Sequence, residues 1–170
     1  MCVRDPYSKV VTAQNILENT QTTNSPSNTV FTNGCFDLLH RGHVDYLMRC
    51  KRLGDTLIVG MNTDASVRRL KGGTRPVTSE QDRAYVLGSL ECVDYVVLFD
   101  EDDPLRLIQT LQPDVLVKGG DWSPDMIVGR EVVRARGGAV YSLPFLQGYS
   151  TSGLIQRISS LSEPGESSPT

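Results

Sequence analysis

The chain has 170 residues, 39% hydrophobic and 22% charged, which suits one globular domain with a real core. Its formal net charge of -3 at pH 7 excludes the broad basic surface of a nucleic-acid-binding protein. The sequence has no signal-peptide core and no apolar run of transmembrane length, so we expect a cytoplasmic protein with no membrane partner. Four cysteines without CxxC or metal-type spacing favour reduced thiols. They are Cys2, Cys35, Cys50 and Cys92.

Short apolar segments alternate with amphipathic ones along the chain. A short helix at 12–18 and a polar linker at 19–29 come first. Five apolar segments then predict strands. They are TVFTNG, TLIVGMN, YVVLF, VLVK and AVYSLPF. Continuous apolar strands with helices between them predict a doubly wound α/β domain, whose parallel sheet has about five strands.

Capping residues predict where the helices begin and end. The first predicted helix begins near Arg41 with Gly54 as its C-cap, and the second is opened by Asp64 and runs to Leu70. A capping box of Thr78 and Gln81 opens the third, and Asp103-Pro104 supply the N-cap and first position of the fourth. The fifth runs from Ser123-Pro124 to Gly137-Gly138, and the last from Ser150 to Leu161. We therefore expect an N-terminal helix and linker at 1–28, the main domain at 29–161 and a disordered tail at 162–170.

Both histidines of the chain lie in the segment FTNGCFDLLHRGH, at 31–43. In this fold class ligands bind at the carboxyl ends of strands, where turns meet helix N-termini that favour phosphate. His40 and His43 share one side of such a helix start, and Gly42 leaves room for a phosphate beside the backbone. Imidazoles donate to phosphoryl oxygens and gain charge readily near neutral pH. The alternatives are structural histidines, or a metal pair with Asp37, which the lack of a third His or Cys nearby disfavours.

Cationic and hydroxyl side chains follow later strands. Lys71 lies in the loop RRLKGGTRP. We interpret two other basic residues of this segment, Arg68 and Arg69, as a solvated helix face. Lys118 ends a buried strand, where a lysine is costly unless it meets an anion. Trp122 fits a packing residue or a wall for a base or sugar equally well. The hydroxyls at 150–152 fit an N-cap or a phosphate cradle.

Two segments resemble signatures of a nucleotidyltransferase superfamily that includes the glycerol-phosphate and ethanolamine-phosphate cytidylyltransferases. GCFDLLHRGH resembles GxFDxxHxGH, and YSTSGLIQRI resembles a Ser/Thr-rich helix start followed by an arginine, here Arg157. The strings NTDASVRRLKG, RPV, VDYVVLFDEDDP, PDVLVKGGDW and GYSTS narrow the resemblance further. They are similar to the adenylyltransferases of bacterial ADP-heptose synthesis, which join D-glycero-β-D-manno-heptose 1-phosphate to AMP from ATP. The resemblance covers roughly residues 10 to 160.

This resemblance implies a Rossmann-like HxGH nucleotidyltransferase fold and a set of site residues. The implied catalytic residues are His40, His43, Lys71 and Lys118. The implied nucleotide-binding residues are Thr32, Asn33, Gly34, Cys35, Phe36, Gly42, Gly119, Asp121, Gln147, Gly148, Ser150, Thr151, Ser152 and Arg157. Asp37, Arg75 and Trp122 are implied to bind the substrate, with Asp37 also organising the turn. The cofactor is Mg2+, carried mainly on ATP, with Asp37 as the candidate protein ligand.

The chain departs from the cytidylyltransferase relatives at two positions. Phe145 replaces an arginine of their second signature, and Lys118 stands where they tend to have an apolar residue. Both departures fit the heptose branch. The alternatives are a cytidylyltransferase for glycerol 3-phosphate or a similar polyol or amino-alcohol phosphate, a non-catalytic nucleotide-binding module, and a class I aminoacyl-tRNA synthetase fragment.

The resemblance also implies partners. Many relatives carry this domain fused behind a sugar kinase, for which this chain has no room, so we expect a stand-alone form supplied by a separate heptose kinase. A homodimer is common among the relatives and is expected here. The product is expected to feed a bacterial surface glycan, such as the lipopolysaccharide core.

Overall fold

The computed structural model describes residues 5–22 and 28–162 and contains one parallel sheet. Its strands are β1 (Thr29–Gly34), β2 (Thr56–Asn62), β3 (Tyr95–Phe99), β4 (Val115–Gly119) and β5 (Ala139–Leu143). They lie in the order β3-β2-β1-β4-β5, and every neighbouring pair is parallel. The predicted doubly wound sheet is confirmed, with β1 at its centre.

Helices and short 3-10 turns connect the strands. The helices are α1 (Ala13–Thr22), α2 (Arg41–Lys51), α3 (Asp64–Lys71), α4 (Glu80–Gly88), α5 (Leu105–Leu111), α6 (Arg130–Arg134) and α7 (Thr151–Ser162), and the 3-10 turns are Pro6–Lys9 and Pro124–Met126. Buried apolar residues form one cluster on each face of the sheet, so Val30 joins one cluster and the next residue, Phe31, the other. This alternation is what a strand covered on both faces requires.

The N-terminal segment packs against the β3 edge of the sheet instead of lying at the periphery. Val10 forms a parallel bridge with Val96, and Ile16 is buried in the core. The Lys9 ammonium donates to the carbonyls of Leu90 and Val93 at 3.0 and 2.6 Å. α1 also runs to Thr22, past the predicted end at 18. The rest of the predicted linker, at 23–27, and the tail at 163–170 lie outside the described residues.

Gly54 does not cap α2 as predicted. The helix ends at Lys51, and its C-cap is Arg52 in a right-handed conformation. A Cβ at Gly54 would lie 2.5 Å from the backbone oxygen of Asn28. Glycine at this position therefore permits the close approach of two backbones.

Two helix starts differ from the prediction by one residue. Thr63, not Asp64, caps α3 by accepting from the Ser66 amide at 3.2 Å. Ser79, not Thr78, caps α4 by accepting from the Asp82 amide at 3.2 Å. In both cases the neighbouring residue that was predicted to cap has a tertiary partner instead.

Two later helices also begin differently. Pro104 is the N-cap of α5 rather than its first residue, although the Asp103 carboxylate still accepts from the Leu105 amide at 2.9 Å. The helix predicted from Ser123 is divided, because Gly129 adopts a φ of 87° between the second 3-10 turn and α6. A Cβ there would lie 2.6 Å from Ile108.

Candidate active site

A cavity of about 640 Å³ opens at the carboxyl ends of β1, β2 and β4. It brings together fourteen of the predicted site residues: Asn33, Gly34, Cys35, Phe36, Asp37, His43, Lys71, Arg75, Lys118, Gly119, Trp122, Ser150, Thr151 and Ser152. Seven predicted residues do not line it: Thr32, His40, Gly42, Asp121, Gln147, Gly148 and Arg157. The location is the one at which doubly wound folds bind ligands.

The turn after β1 has a strained backbone. Phe36 is buried and has a φ of 46°, a left-handed conformation that is uncommon for a bulky residue. A Cβ at Gly34 would lie 3.0 Å from the Phe36 ring, so the turn needs glycine there. The ring also packs at 5.4 Å from the His43 ring.

Asp37 holds this turn in place. Its buried carboxylate accepts from the Arg75 Nε at 2.5 Å and from the amides of Val77 and Thr78 at 2.8 and 3.1 Å. Burial acts to raise the pKa of Asp37, but the hydrogen bonds from Thr78, Arg75 and Val77 outweigh it and lower that pKa. Asp37 thus organises the turn. The same bonds occupy the oxygens that a metal ion or a substrate would need.

Arg83 also supports this turn, through a hydrogen bond to its backbone. This residue was not identified from the sequence. The residue is 2% exposed and lies inside α4. Its Nη1 donates to the carbonyl of Cys35, and its Nη2 donates to the Asp64 carboxylate at 2.7 Å. Its Nε is buried without a partner among the described residues. The segment SEQDRAYV resembles an ordinary exposed helix start. Arg83 could have been singled out only by knowing which face of α4 is buried.

The two histidines stack at the start of α2. Their ring centroids are 3.9 Å apart with an interplanar angle of 19°. His40 is the N-cap, and its Nδ1 accepts from the His43 amide at 3.4 Å, which leaves the proton of the neutral ring on Nε2. His43 lines the cavity, and its Nδ1 is buried without a partner among the described residues.

Burial disfavours the charged form of both rings. Burial, reinforced by His40, lowers the pKa of His43 to about 4, and burial also lowers the pKa of His40. These lowered pKa values favour the neutral imidazoles over the charged forms. They can act as neutral hydrogen-bond donors.

Gly42 has a different surrounding from the one predicted. A Cβ there would lie 2.9 Å from the Cβ of Tyr149 and 3.1 Å from the His40 ring. On the side where a Cβ would project, the space beside Gly42 is therefore filled by Tyr149 and His40. Thr32 is likewise buried, with its hydroxyl bonded to the Tyr46 hydroxyl at 2.7 Å.

Three cationic side chains line the cavity, and we call them the cationic wall: Lys71, Arg75 and Lys118. Lys118 is half-buried, with Nζ 3.4 Å from the Asn33 amide oxygen. Burial lowers the pKa of Lys118, the neighbouring Cys35 opposes this, and the charge of Lys71 adds to it. Positive charge held in this way favours a bound anion. Arg69 instead pairs with Asp102 at 2.9 Å, in line with a solvated helix face.

Two exposed aromatic rings follow β4 and β5, with Phe145 beside Gly119 and Trp122 beside Gly120. Trp122 is 53% exposed and Phe145 is 58% exposed, although both line the cavity. A Cβ at Gly119 would lie 2.4 Å from the Phe145 ring, which also packs edge-on against Tyr46. The pair provides a flat apolar surface, whereas the cationic wall provides positive charge.

The outer rim of the cavity was not predicted. Its residues follow β3 or border the second 3-10 turn, and they are Asp102, Asp103, Met126 and Val128. Met126 is 69% exposed and Val128 is 42% exposed. Asn62 and Leu116 line the interior and were also missed, since nothing in their strands marks them as different from core residues.

The start of α7 supplies the hydroxyl groups. Ser150 caps the helix as predicted, accepting from the Gly153 amide at 3.0 Å. The Thr151 hydroxyl donates to the Leu38 carbonyl at 3.5 Å. Arg157 lies exposed farther along α7, away from the cavity, and Gln147 and Gly148 are exposed before it.

The parallel sheet, the histidine-bearing helix start and the cationic wall define a nucleotidyltransferase. The chain belongs to the cytidylyltransferase-like family, whose sequence pattern matches residues 31–157. Among the described residues, no helix is long and apolar enough to cross a membrane.

Individual relatives are similar over most of this chain. The bifunctional protein HldE of Citrifermentans bemidjiense is 64% identical over 129 residues, which are 76% of this chain and 26% of that protein. HldE of Helicobacter pylori is 48% identical over 93% of this chain and 32% of that protein. This chain thus spans about a third or less of these relatives. A lipopolysaccharide core biosynthesis protein of Thermoplasma volcanium has a similar structure, with a TM-score of 0.57 and 29% identity over 74% of this chain and all of that one.

Proposed function

We propose that the chain transfers AMP from ATP to D-glycero-β-D-manno-heptose 1-phosphate, releasing pyrophosphate and ADP-heptose. The observation that carries this proposal is the cavity in which His43, Lys71 and Lys118 meet, in a chain 64% identical to HldE over 129 residues. The product then supplies the synthesis of a bacterial surface glycan. The similarity to a lipopolysaccharide core biosynthesis protein supports that use.

The reaction is an in-line displacement at phosphorus. An oxygen of the sugar phosphate attacks the α-phosphorus of ATP, and the bond from that phosphorus to the β-phosphate oxygen breaks. Pyrophosphate leaves with the electron pair. A phosphate monoester has a second pKa near 6, so the nucleophile is already an anion at pH 7 and needs no general base. The lowered pKa of His43 suits a neutral donor better than a proton acceptor.

The residues then act by positioning and by charge. His43, backed by His40, donates to the phosphoryl oxygens that gain charge in the transition state. The cationic wall neutralises the flanking phosphates, and the start of α7 adds hydroxyl and amide donors. Trp122 and Phe145 offer their faces to the adenine or the sugar. Arg157 has no role in this scheme, because it lies outside the cavity.

Magnesium would bind the triphosphate rather than a protein cage. Among the described residues, no group of three His, Cys, Asp or Glu could hold a metal ion. Asp37 is fully engaged with Arg75, Val77 and Thr78. Mg2+ would therefore be carried mainly on the phosphates of ATP, whose negative charge it would offset.

Two partners follow from the proposed reaction. A heptose kinase supplies the sugar 1-phosphate, either as a separate protein or as part of a longer chain. A homodimer is also proposed, and size-exclusion chromatography with light scattering would test it.

A pyrophosphate-release assay tests the function. ATP, CTP and GTP are each paired with heptose 1-phosphate and with glycerol 3-phosphate, and we expect turnover only with ATP and the heptose. His43→Ala should lower the rate by about 10²–10³ with an unchanged melting temperature. His43→Asn, which keeps an N–H donor, should recover part of it.

Two outcomes would contradict the proposal. Turnover with CTP and glycerol 3-phosphate would favour the cytidylyltransferase alternative. ATP binding without pyrophosphate from any acceptor would indicate a non-catalytic nucleotide-binding module. A His43→Ala variant as fast as the wild type would refute the role given to that imidazole.

A further inference from the structure

Residues 144–151 join β5 to α7 and run antiparallel along one face of α2, and we call this segment the strap. Its far end is held where Arg49 donates to the Pro144 carbonyl at 2.8 Å. The next contact is the edge-on packing of Phe145 against Tyr46, with ring centroids 5.9 Å apart. The strap thus contacts the same helix that carries both histidines.

The near end of the strap is held by Tyr149. The Tyr149 Cβ abuts Gly42, at the distance that leaves no room for a side chain there. The Arg41 guanidinium lies 5.7 Å from the centroid of the Tyr149 ring, and its Nη1 donates to the Tyr149 hydroxyl at 3.4 Å. The ring centroid also lies 6.4 Å from that of His40. Tyr149 is therefore packed against the first turn of α2 on two sides.

Besides Tyr149, the start of α7 is held by the Thr151 hydroxyl, which donates to the Leu38 carbonyl at 3.5 Å. Gln147 and Gly148 are exposed, and the helix is largely exposed beyond its first turn, with Ile158 at 57% and Leu161 at 85%. Tyr149 immediately precedes Ser150, whose hydroxyl caps the helix. The contacts of Tyr149 with α2, together with the longer Thr151 hydrogen bond, therefore set the position of the first turn of α7 relative to the histidines.

We propose that Tyr149, seated on Gly42 and Arg41, is a positioning residue that holds the first turn of α7 against the histidine-bearing turn of α2 for ATP binding and transfer. This inference rests on the proposed function. It also gives Gly42 a specific reason to be glycine: the strap, and not a phosphate, occupies the space beside it. A misplacement of about 1 Å in such a site can cost about 10²-fold in rate.

Tyr149→Ala tests the role directly, with Tyr141→Ala as the matched control. Tyr141 is a similarly exposed tyrosine on β5 that does not line the cavity. We expect Tyr149→Ala to raise the KM for ATP and to lower kcat/KM by about tenfold to hundredfold, with nearly unchanged stability. Tyr149→Phe keeps the ring over Arg41 and should lose about threefold at most. Arg41→Ala should reproduce part of the Tyr149→Ala effect, and the double variant should lose less than the product of the two.

A second comparison tests whether residue 42 must be glycine because of the strap or because of a bound phosphate. Gly42→Ala should impair the wild-type background severely, because its Cβ meets the Cβ of Tyr149. In a Tyr149→Gly background that Cβ is absent and only the 3.1 Å approach to the His40 ring remains, so Gly42→Ala should cost a smaller factor. If a phosphate needs the space, Gly42→Ala costs the same factor in both backgrounds, and the inference is overturned.

Amide hydrogen exchange makes the test independent of the proposed reaction. The Gly153 and Leu154 amides, which bond to Ser150, should exchange faster in Tyr149→Ala than in Tyr141→Ala. If the wild type releases no pyrophosphate, the proposed function is wrong. Amide exchange and ATP affinity still test the role of Tyr149 in that case. Equal exchange and equal ATP affinity in the two alanine variants would overturn the inference.

Discussion

Replacing Arg83 with methionine removes a buried cation and keeps most of the side-chain volume. The arginine side chain is inaccessible, and it bonds to the Asp64 carboxylate at 2.7 Å and to the Cys35 carbonyl. Methionine would leave both acceptors without these donors. The turn that carries the left-handed Phe36 would lose a support, so we expect weaker ATP binding as well as lower stability.

The magnitude follows from the surroundings of the pair. Removing one partner of a buried ion pair costs about 3–5 kcal/mol. The Asp64 side chain is 20% exposed and can regain some hydration, and the unpaired Nε of Arg83 is lost with the arginine. We therefore expect a loss of about 3 kcal/mol, or a fall of about 6–12 °C in melting temperature for a domain of this size.

Urea unfolding followed by circular dichroism measures this loss. The matched control is Arg106→Met on α5, where the arginine side chain is 83% exposed and pairs with Glu101 at 3.4 Å. The control should change stability by less than about 0.5 kcal/mol. If Arg83→Met unfolds at the same urea concentration as the control, the buried arginine does not stabilise the turn and the reasoning is refuted.

Two further predictions concern His43 and Gly54. An NMR titration of the two imidazoles should show His43 protonating near pH 4. Because this pKa lies below the ordinary value of about 6.5, the unfolded state binds the proton more readily, so stability is complete above pH 6.5 and falls by about 2 kcal/mol toward pH 4. A midpoint near 6.5 would contradict the burial of this ring. Gly54→Ala should cost about 1–3 kcal/mol in urea unfolding, since its Cβ meets the Asn28 backbone, and a neutral effect would show that this contact relaxes freely.

The strands were predictable because each is a short segment rich in β-branched, aliphatic or aromatic residues with no helical period. The helix starts were harder, because Thr63 and Asp64, and likewise Thr78 and Ser79, are adjacent residues that both cap well. The choice within each pair depends on distant partners: Arg83 bonds to Asp64, and Asp37 bonds to Thr78. Local sequence carries no information on those contacts.

The site was predictable where a motif follows a strand, as at 33–37 and 150–152. Arg83 escaped because its burial depends on the packing of α4, while its neighbours in sequence are polar. The packing of Tyr149 against Gly42 was missed for a similar reason, since Tyr149 lies more than a hundred residues away in the chain. Contacts of such long sequence separation appear only in the folded molecule.

The outer rim and Lys118 of the cationic wall are held by different parts of the fold. Lys118 extends from a central strand, whereas Met126 and Val128 are exposed and lie outside the helices and strands that carry the core. Substitutions along the rim therefore reshape the entrance at little energetic cost, whereas Lys118 is fixed by the strand that carries it. The entrance can thus change shape without moving the ammonium group that β4 supplies to the cavity.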